Sequence, residues 1–405
     1  MGRLVNTPKT LNDWLSYQEN LHTQEIDLGL ERVQKVYQKL FPQGVPFKVI
    51  SVAGTNGKGS TIAFIDSIYQ QTQYKVGKFT SPHILKYNER FTVNGMQVDD
   101  TTICAAFDKI EKARGNTSLT YFEFSTLAAL IVFTYEKVDI AVLEIGLGGR
   151  LDSVNVVDSD VAVITNIALD HVDYLGDTRE KIGVEKAGIM RTNMPCVCGD
   201  LNPPKTIAKY AAKIGALLSF VDTPYLGAIG LSGEHQKYNA ALAVAALNQL
   251  QALFPVTQNQ YAEGIKNAKL SGRFEVKTIN KKTLILDVAH NAAATQALAD
   301  TLKKDKQPSL AIFSAFADKD IESMIHIIAP LVEHWLLVPL QVNRACDMQD
   351  LVQKFSLSSK VSACDNMQSA LHQALQSKRA ERVVVFGSFH VVADALKVLD
   401  AYGPR

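Results

Sequence analysis

The densest chemistry in the chain lies in eight consecutive residues, Gly54-Thr55-Asn56-Gly57-Lys58-Gly59-Ser60-Thr61. Three glycines let the backbone turn tightly enough for consecutive N–H groups to face the oxygens of one anion. Lys58 adds a point charge suited to the outer phosphates of a nucleotide, and Ser60 and Thr61 add hydroxyls that can reach a phosphate or a magnesium ion. The match to the general G-x-x-x-x-G-K-[ST] phosphate loop is imperfect: Val52 stands where the first glycine belongs, and Gly59 follows the lysine. A ligand-free glycine turn is the plainer reading, but it leaves a lysine between two glycines without a purpose. Glu144 closes an apolar run and precedes Gly146, Gly148 and Gly149, so it either ligates magnesium beside that loop or caps the glycine turn. His171 follows a second apolar run; it is either a metal ligand or a hydrogen-bonded core histidine. Lys186, just before Gly188, reads from its position alone as a favourable charge at a helix end. Arg273, Asp287, His290 and Asn291 form a later polar group able to meet a nucleotide or substrate.

The elements that must position these residues follow from the apolar pattern. Positions 10–40 have helical spacing with a break at His22–Asp27, which predicts two helices. Phe47–Ala53 reads as a buried strand leading into the glycine loop, and 61–71 as the helix after it, the order a phosphate loop requires. Ile140–Ile145 and Val161–Ile164 are β-branched strands, with helices predicted near 122–136 and 178–188. The alternation predicts a mostly parallel sheet covered by helices on both faces, with ligands beyond the strands' C-terminal ends. An Ala/Leu-rich helix spans 236–250. Beyond a boundary placed near residue 270, strands are predicted at Thr283–Val288, Leu310–Phe313, His334–Val338 and Arg382–Phe386.

The chain has 405 residues, enough for two cores, so two domains, 1–270 and 271–405, are expected. Lys and Arg number 42 against 41 acids, a balance that gives no excess charge for nucleic acid or an anionic membrane. Five cysteines without a second Cys or His pair at metal spacing read as buried thiols of a reducing compartment. The N-terminal residues lack an apolar signal region and no window approaches a membrane span, so the expected setting is the cytoplasm.

Taken together, the motifs resemble the folylpolyglutamate synthase/dihydrofolate synthase family within the Mur-ligase-like superfamily. The similarity runs along nearly the whole chain: Gly54–Ser60; Thr80-Ser81-Pro82-His83 with Asn88-Glu89-Arg90; Glu144–Asp152 (EIGLGGRLD); Leu169-Asp170-His171; and Glu185–Gly188. It continues through His235-Gln236 with Asn239-Ala240, Gly272–Glu275, Asp287–Asn291 and Asp318–Asp320. The resemblance implies an α/β fold: a P-loop domain like the Mur-ligase central domain, followed by a smaller Rossmann-like α/β C-terminal domain. It implies that Gly54, Thr55, Asn56, Gly57, Lys58, Gly59, Ser60 and Thr61 hold ATP, with Asn239, Arg273, Asp287 and His290 also meeting the nucleotide. Ser60, Ser81, Glu144 and His171 become ligands of two magnesium ions. Lys58, Lys186 and His171 become catalytic, with Lys186 carbamylated. His83, Arg90, Phe122, Phe124, Asp152 and Asn155 fall near the pterin acceptor. The implied partners are dihydropteroate, tetrahydrofolates and L-glutamate, met by a monomer. Ala292 stands where the family often has proline, and Phe386–His390 is similar to the bifunctional bacterial members.

The implied reaction is phosphoryl transfer from ATP to a carboxylate, then attack by the glutamate amine on the acyl phosphate. Alternatives are a folylpolyglutamate synthase alone, a Mur-type ligase acting on a cell-wall precursor, and a nucleotide-gated switch. The EIGLGGRLD and TSPH segments favour folate over cell wall, and a switch has no use for Lys186 or the late polar group.

Overall fold

The computed structural model describes residues 9–342, 344–355 and 360–401, and the chain divides into two compact units. The first comprises residues through Pro82, Asn88–Ala228 and Tyr238–Ala268; the second comprises His83–Tyr87, Ile229–Lys237 and the chain from Lys269 onward.

The first unit is built on eight strands: β1 (Lys48–Ala53), β2 (Val76–Phe79), β3 (Phe91–Val93), β4 (Met96–Gln97), β5 (Ile140–Glu144), β6 (Val161–Ile164), β7 (Pro195–Cys198) and β8 (Leu217–Phe220). Their order is β4-β3-β2-β5-β1-β6-β7-β8. All neighbours are parallel except the β2–β3 and β3–β4 pairs. Central strands buried on both faces need continuous apolar runs, and β1, β5 and β6 have them. β1 lies between β5 and β6, with Val52 opposite Glu144 and Ala53 opposite Ile164. The glycine loop, Glu144 and Thr165 therefore leave the sheet side by side at its C-terminal edge.

Two helices flank the break at His22–Asp27, Leu11–Glu19 and Glu31–Leu40, as the spacing predicts. The helix Lys58–Tyr69 follows the glycine loop and is buried almost all round. Its partner is the helix Gln258–Asn267, and the two backbones nearly touch: a Cβ on Gly264 would lie 2.4 Å from Ile68 Cα. The helix Tyr121–Tyr135 starts with a capping box, Thr120 and Glu123 each bonding the other's backbone N–H. Trp14, Phe107 and Phe124 pack together beneath it.

The second unit has six strands: β9 (Glu275–Ile279), β10 (Lys282–Leu286), β11 (Ser309–Phe313), β12 (Val332–Leu337), β13 (Val361–Ala363) and β14 (Arg382–Phe386), ordered β13-β12-β11-β14-β10-β9. Only β9 is antiparallel, joined to β10 through Asn280 and Lys281, both at positive φ as a tight hairpin demands. Alternate residues feed two cores: Leu284, Ile312 and Val385 on one face, and Ile285, Phe313, Val384 and Trp335 on the other. Across β14 the guanidinium of Arg382, 1% exposed, donates to Ser309 Oγ and Leu302 O and also meets Asp305 and Gln307.

Candidate active site

The loop after β1 needs its glycines. Gly54 has φ +152°, and a Cβ there would overlap Thr165 Oγ1; Gly57 has φ +87° and lies against Asn239. The loop hangs on the segment after β6. Thr165 Oγ1 donates to Asn56 O at 2.6 Å, Asn56 N–H to Asn166 Oδ1 at 2.7 Å, and Thr55 N–H to Asn166 O at 2.8 Å. Lys58 opens the helix and turns its ammonium back onto Gly54 O and Thr55 O at 3.1 and 3.3 Å. The helix's first N–H groups and the lysine thus point positive charge at one spot. Ser60 is buried there, and Thr61 Oγ1 is a buried hydroxyl without a hydrogen-bond partner in the protein.

Glu144, at the end of β5, is 5% exposed and accepts a hydrogen bond from Ser81 N–H at 3.0 Å. The structure therefore brings together the glycine loop, Ser81 and Glu144. Among the described residues no three His, Cys, Asp or Glu side chains gather as a metal cage. One carboxylate with hydroxyls suits magnesium, which keeps waters and phosphate oxygens in its shell. His171 lies further along the bracing segment with left-handed backbone (φ 50°, ψ 43°), beside Asp170. That segment is tied down by residues the motifs did not single out. Ile167 N–H donates to Asp200 at 2.7 Å, and Arg179 bonds both Ile167 O and Asp200. Arg179 and Asp200 stand 21 residues apart in the sequence, and only the fold pairs them.

The glycines after Glu144 let backbones meet. A Cβ on Gly149 would strike Glu185 O, and one on Gly188 would strike Arg150. Through this contact Lys186, 3% exposed, enters the site from the helix Arg179–Ala187. Burial, then the charge on Lys58, pulls its ammonium down to about 7 against the opposing pull of Asp170 and Asp152. Lys186 does sit in the last turn of its helix, as its position suggests, but it is buried there rather than solvated. Asp152 is fully enclosed; burial pushes its carboxyl up to about 7, opposed by hydrogen bonds from Leu147, Val154 and Gly146 N–H and by Lys58.

The acceptor candidates separate. Phe122 is half-buried, stacks on Phe79 at 5.8 Å and lies against Gly146, next to Asp152. Phe124 has no exposure and belongs to the aromatic core behind that wall. Asn155 donates to Arg150 O and Gly188 O and accepts from Arg191, so in the structure it braces the loop. Arg90 stands over the Tyr121 ring at 5.6 Å. His83 groups with the second unit, edge-on to Tyr87.

Within the second unit Asp287 accepts from Phe274 and Ala289 N–H, both at 2.8 Å. Burial raises its pKa, against Arg273, these two N–H groups and His290. His290 Nδ1 lies 2.9 Å from Val288 O and donates to it. Arg273 lies over the Phe389 ring at 5.1 Å, and Asn291 caps the helix Ala292–Leu302. Phe389 belongs to the Phe386–His390 segment, but nothing in its spacing marks the ring contact with Arg273.

Residues 52–198 match the Mur ligase middle domain and residues 272–389 the Mur ligase glutamate ligase domain. Fold and site together thus define a Mur-type ligase. The dihydrofolate synthase/folylpolyglutamate synthase of Escherichia coli (strain K12) is 40% identical, over 98% of this chain and 98% of its own. The structure of E. coli FolC in complex with DHPP and ADP aligns with TM-score 0.92 and 39% identity, covering 98% of this chain and 99% of its own. The bifunctional Yersinia pestis enzyme complexed with AMPPNP and Mn ion aligns with TM-score 0.89 and 38% identity, covering 97% and 99%. The chain belongs to the dihydrofolate synthase/folylpolyglutamate synthase family. The α/β fold expected from the sequence is the fold observed.

Proposed function

We propose that this protein is an ATP-dependent ligase that adds L-glutamate to dihydropteroate, forming dihydrofolate, and to tetrahydrofolates, forming folylpolyglutamates. The observation that carries this reading is the meeting of the phosphate loop, Glu144 with Ser81, and the Phe122–Asp152 wall at one sheet edge. A phosphate donor, a hard cation and a planar carboxylic acid each find suitable groups there.

A carboxylate and an amine do not condense usefully in water, because hydroxide leaves poorly. In the proposed course an acceptor carboxylate oxygen attacks the γ-phosphorus of ATP, the bond to ADP breaks, and an acyl phosphate forms. The neutral glutamate amine then attacks the acyl carbon; the tetrahedral adduct expels phosphate, and the amine proton passes to solvent. Lys58 and the loop N–H groups hold the phosphates in line and offset their charge, so positioning and fixed charge carry the catalysis. Ser60, Ser81, Glu144 and His171 are the residues that would hold two magnesium ions, which when bound neutralise the transferring phosphoryl group. Arg273, Asp287 and His290, with Asn239, are assigned to the nucleotide. ATP binding is assigned to residues 1–270, apart from His83–Tyr87 and Ile229–Lys237, which group with the second unit, and glutamate ligation to 271–405.

Lys186, 3% exposed and drawn down to about 7 chiefly by burial, suits carbamylation. Its neutral Nζ attacks the carbon of CO2, loses a proton to solvent and becomes a carboxylate-like group. Protein incubated with 13C-bicarbonate is expected to show a carbamate carbon resonance that Lys186→Ala lacks, together with loss of turnover. An unlabelled Lys186, with Lys186→Ala still active, sinks this assignment. No helix among the described residues is long and apolar enough to cross a membrane; we place the protein in the cytoplasm as a monomer.

The deciding experiment is ADP release from MgATP and L-glutamate with dihydropteroate, tetrahydrofolate or no acceptor, product masses read in the same reactions. Glutamate addition to both acceptors is expected. Addition to tetrahydrofolate alone leaves a polyglutamylating enzyme, and addition to neither by folded, ATP-binding protein removes the folate reading.

A further inference from the structure

The outer face of the helix Lys205–Ile214 carries charge of one sign only. Ile207 and Ala211 turn inward, while Lys205, Lys209 and Lys213, four residues apart, are all exposed. From residue 201 to residue 221 the chain has no acid. Among the described residues none of these three lysines has an ion-pair or hydrogen-bond partner. On the neighbouring helix Arg179–Ala187, by contrast, Lys181 pairs with Asp177 at 2.8 Å. Like charges at i and i+4 destabilise a helix, and a face that serves only solubility mixes both signs. The row is thus held at a small cost, which an anion lying along it would offset. It also lies beside the site. Thr206 Oγ1 donates to Glu180 O at 3.1 Å, and a Cβ on Gly183 would meet Thr206 Oγ1 at 2.8 Å, so the first turn packs on the helix that carries Lys186. Arg150, two residues before Asp152, is exposed and pairs with Glu185 at 2.8 Å, and Tyr210 stands within electrostatic reach of it. Arg150 therefore links the Asp152 loop to this helix.

A glutamate joined through its side-chain carboxyl keeps its α-carboxylate free, so a folate gains one negative charge with each addition. A residue linked this way adds five backbone bonds, about 6 Å when extended, and four helical residues rise about 6 Å. One carboxylate can therefore meet each lysine. We propose that Lys205, Lys209 and Lys213 bind the γ-linked glutamyl tail of a folate already extended, a polycarboxylate site outside the reacting centre. This rests on the polyglutamylation reading above. The balanced charge of the whole chain gives no comparable draw on nucleic acid or an anionic membrane.

The test measures Tm and the KM for ATP, dihydropteroate, and tetrahydrofolate bearing one or four glutamates, in full-length Lys209→Glu and in the triple variant Lys205→Arg, Lys209→Arg, Lys213→Arg. Lys209→Glu gives the helix two opposite-charge pairs, so Tm is expected to hold or rise. In the same variant the KM for the tetraglutamate form should rise about tenfold, since attraction gives way to repulsion among exposed pairs each worth a few-fold. The other KM values should stay, and the triple arginine variant should match wild type throughout. Titration with free γ-tetraglutamate should show binding by wild type that Lys209→Glu loses. An unchanged tetraglutamate KM in Lys209→Glu refutes the proposal, and so does an equal rise for the one-glutamate form. It is equally wrong if duplex DNA or anionic vesicles bind through Lys209 while γ-tetraglutamate does not. Failure of the underlying reading shows separately, as a wild-type protein that adds no glutamate to tetrahydrofolate, and it takes this inference with it.

Discussion

Thr61 is a buried hydroxyl with no hydrogen-bond partner in the protein, one residue past Ser60 in the phosphate loop. Leaving such a group unmade costs about 1–3 kcal/mol. Thr61→Val keeps the shape and removes the cost, so nucleotide-free protein is expected to melt at the same temperature or higher. If the hydroxyl serves the nucleotide or its metal, the KM for MgATP rises in the same variant; an unchanged KM with a raised Tm makes Thr61 structural. Asp152 gives a pH-dependent counterpart. Its folded pKa of about 7 stands above the ordinary 3.8, so between these values the fold keeps a proton that the unfolded chain has released. The cost of burying the charge grows from about pH 4 to 7 and is fully present above 7. In nucleotide- and metal-free protein, Asp152→Asn is expected to raise Tm at pH 8 and leave it nearly unchanged at pH 4. A gain at pH 4 equal to that at pH 8 refutes the assignment.

Helix packing decides what a small residue is worth. In most helix interiors Gly→Ala gains up to about 1 kcal/mol. At Gly264 the added Cβ would meet Ile68 Cα at 2.4 Å, and backbone cannot step aside as a flexible side chain can. Overpacking costs about 1–3 kcal/mol and wins. Gly264→Ala should lower Tm, Gly264→Val should lower it further, and a raised Tm for Gly264→Ala means the helices have room. The same scale shows what the sequence can disclose. β1, β5 and β6 are plain because β-branched runs fill both faces, and the phosphate loop follows directly from one of them. β2 places Gly77 and Lys78 between its apolar ends, β8 is largely exposed and β4 is two residues long, so none reads as a buried apolar run, while Glu275–Ile279 alternates half-buried with exposed residues. Lys58 and Glu144 are legible from their own neighbourhoods. The enclosed surroundings of Lys186 and the Arg179–Asp200 brace are not, because each depends on residues distant in sequence.

Each unit holds one of the two tryptophans, Trp14 and Trp335, both buried. Removing Arg382 should strike the second unit alone, since the carbonyls of Leu302 and Gln307 and the Asp305 carboxylate lose their partner. Asp305 is largely exposed, so the cost falls on the buried acceptors left unpaired, about 1–3 kcal/mol for each. In an Arg382→Met background, fluorescence unfolding followed through Trp335 (with Trp14→Phe) should shift to lower denaturant, while that followed through Trp14 (with Trp335→Phe) holds. Equal shifts mean the units unfold as one. The path of the chain carries a last consequence. It leaves the first unit at Pro82, returns at Asn88, leaves at Ala228, returns at Tyr238 and departs at Ala268. Asn239, which rests on the phosphate loop, and the helix that packs Gly264 on Ile68 both belong to that last return. A growing chain on the ribosome therefore lacks the support of its phosphate loop until residue 268 has emerged, so ATP is expected to protect stalled nascent chains from protease only beyond that length.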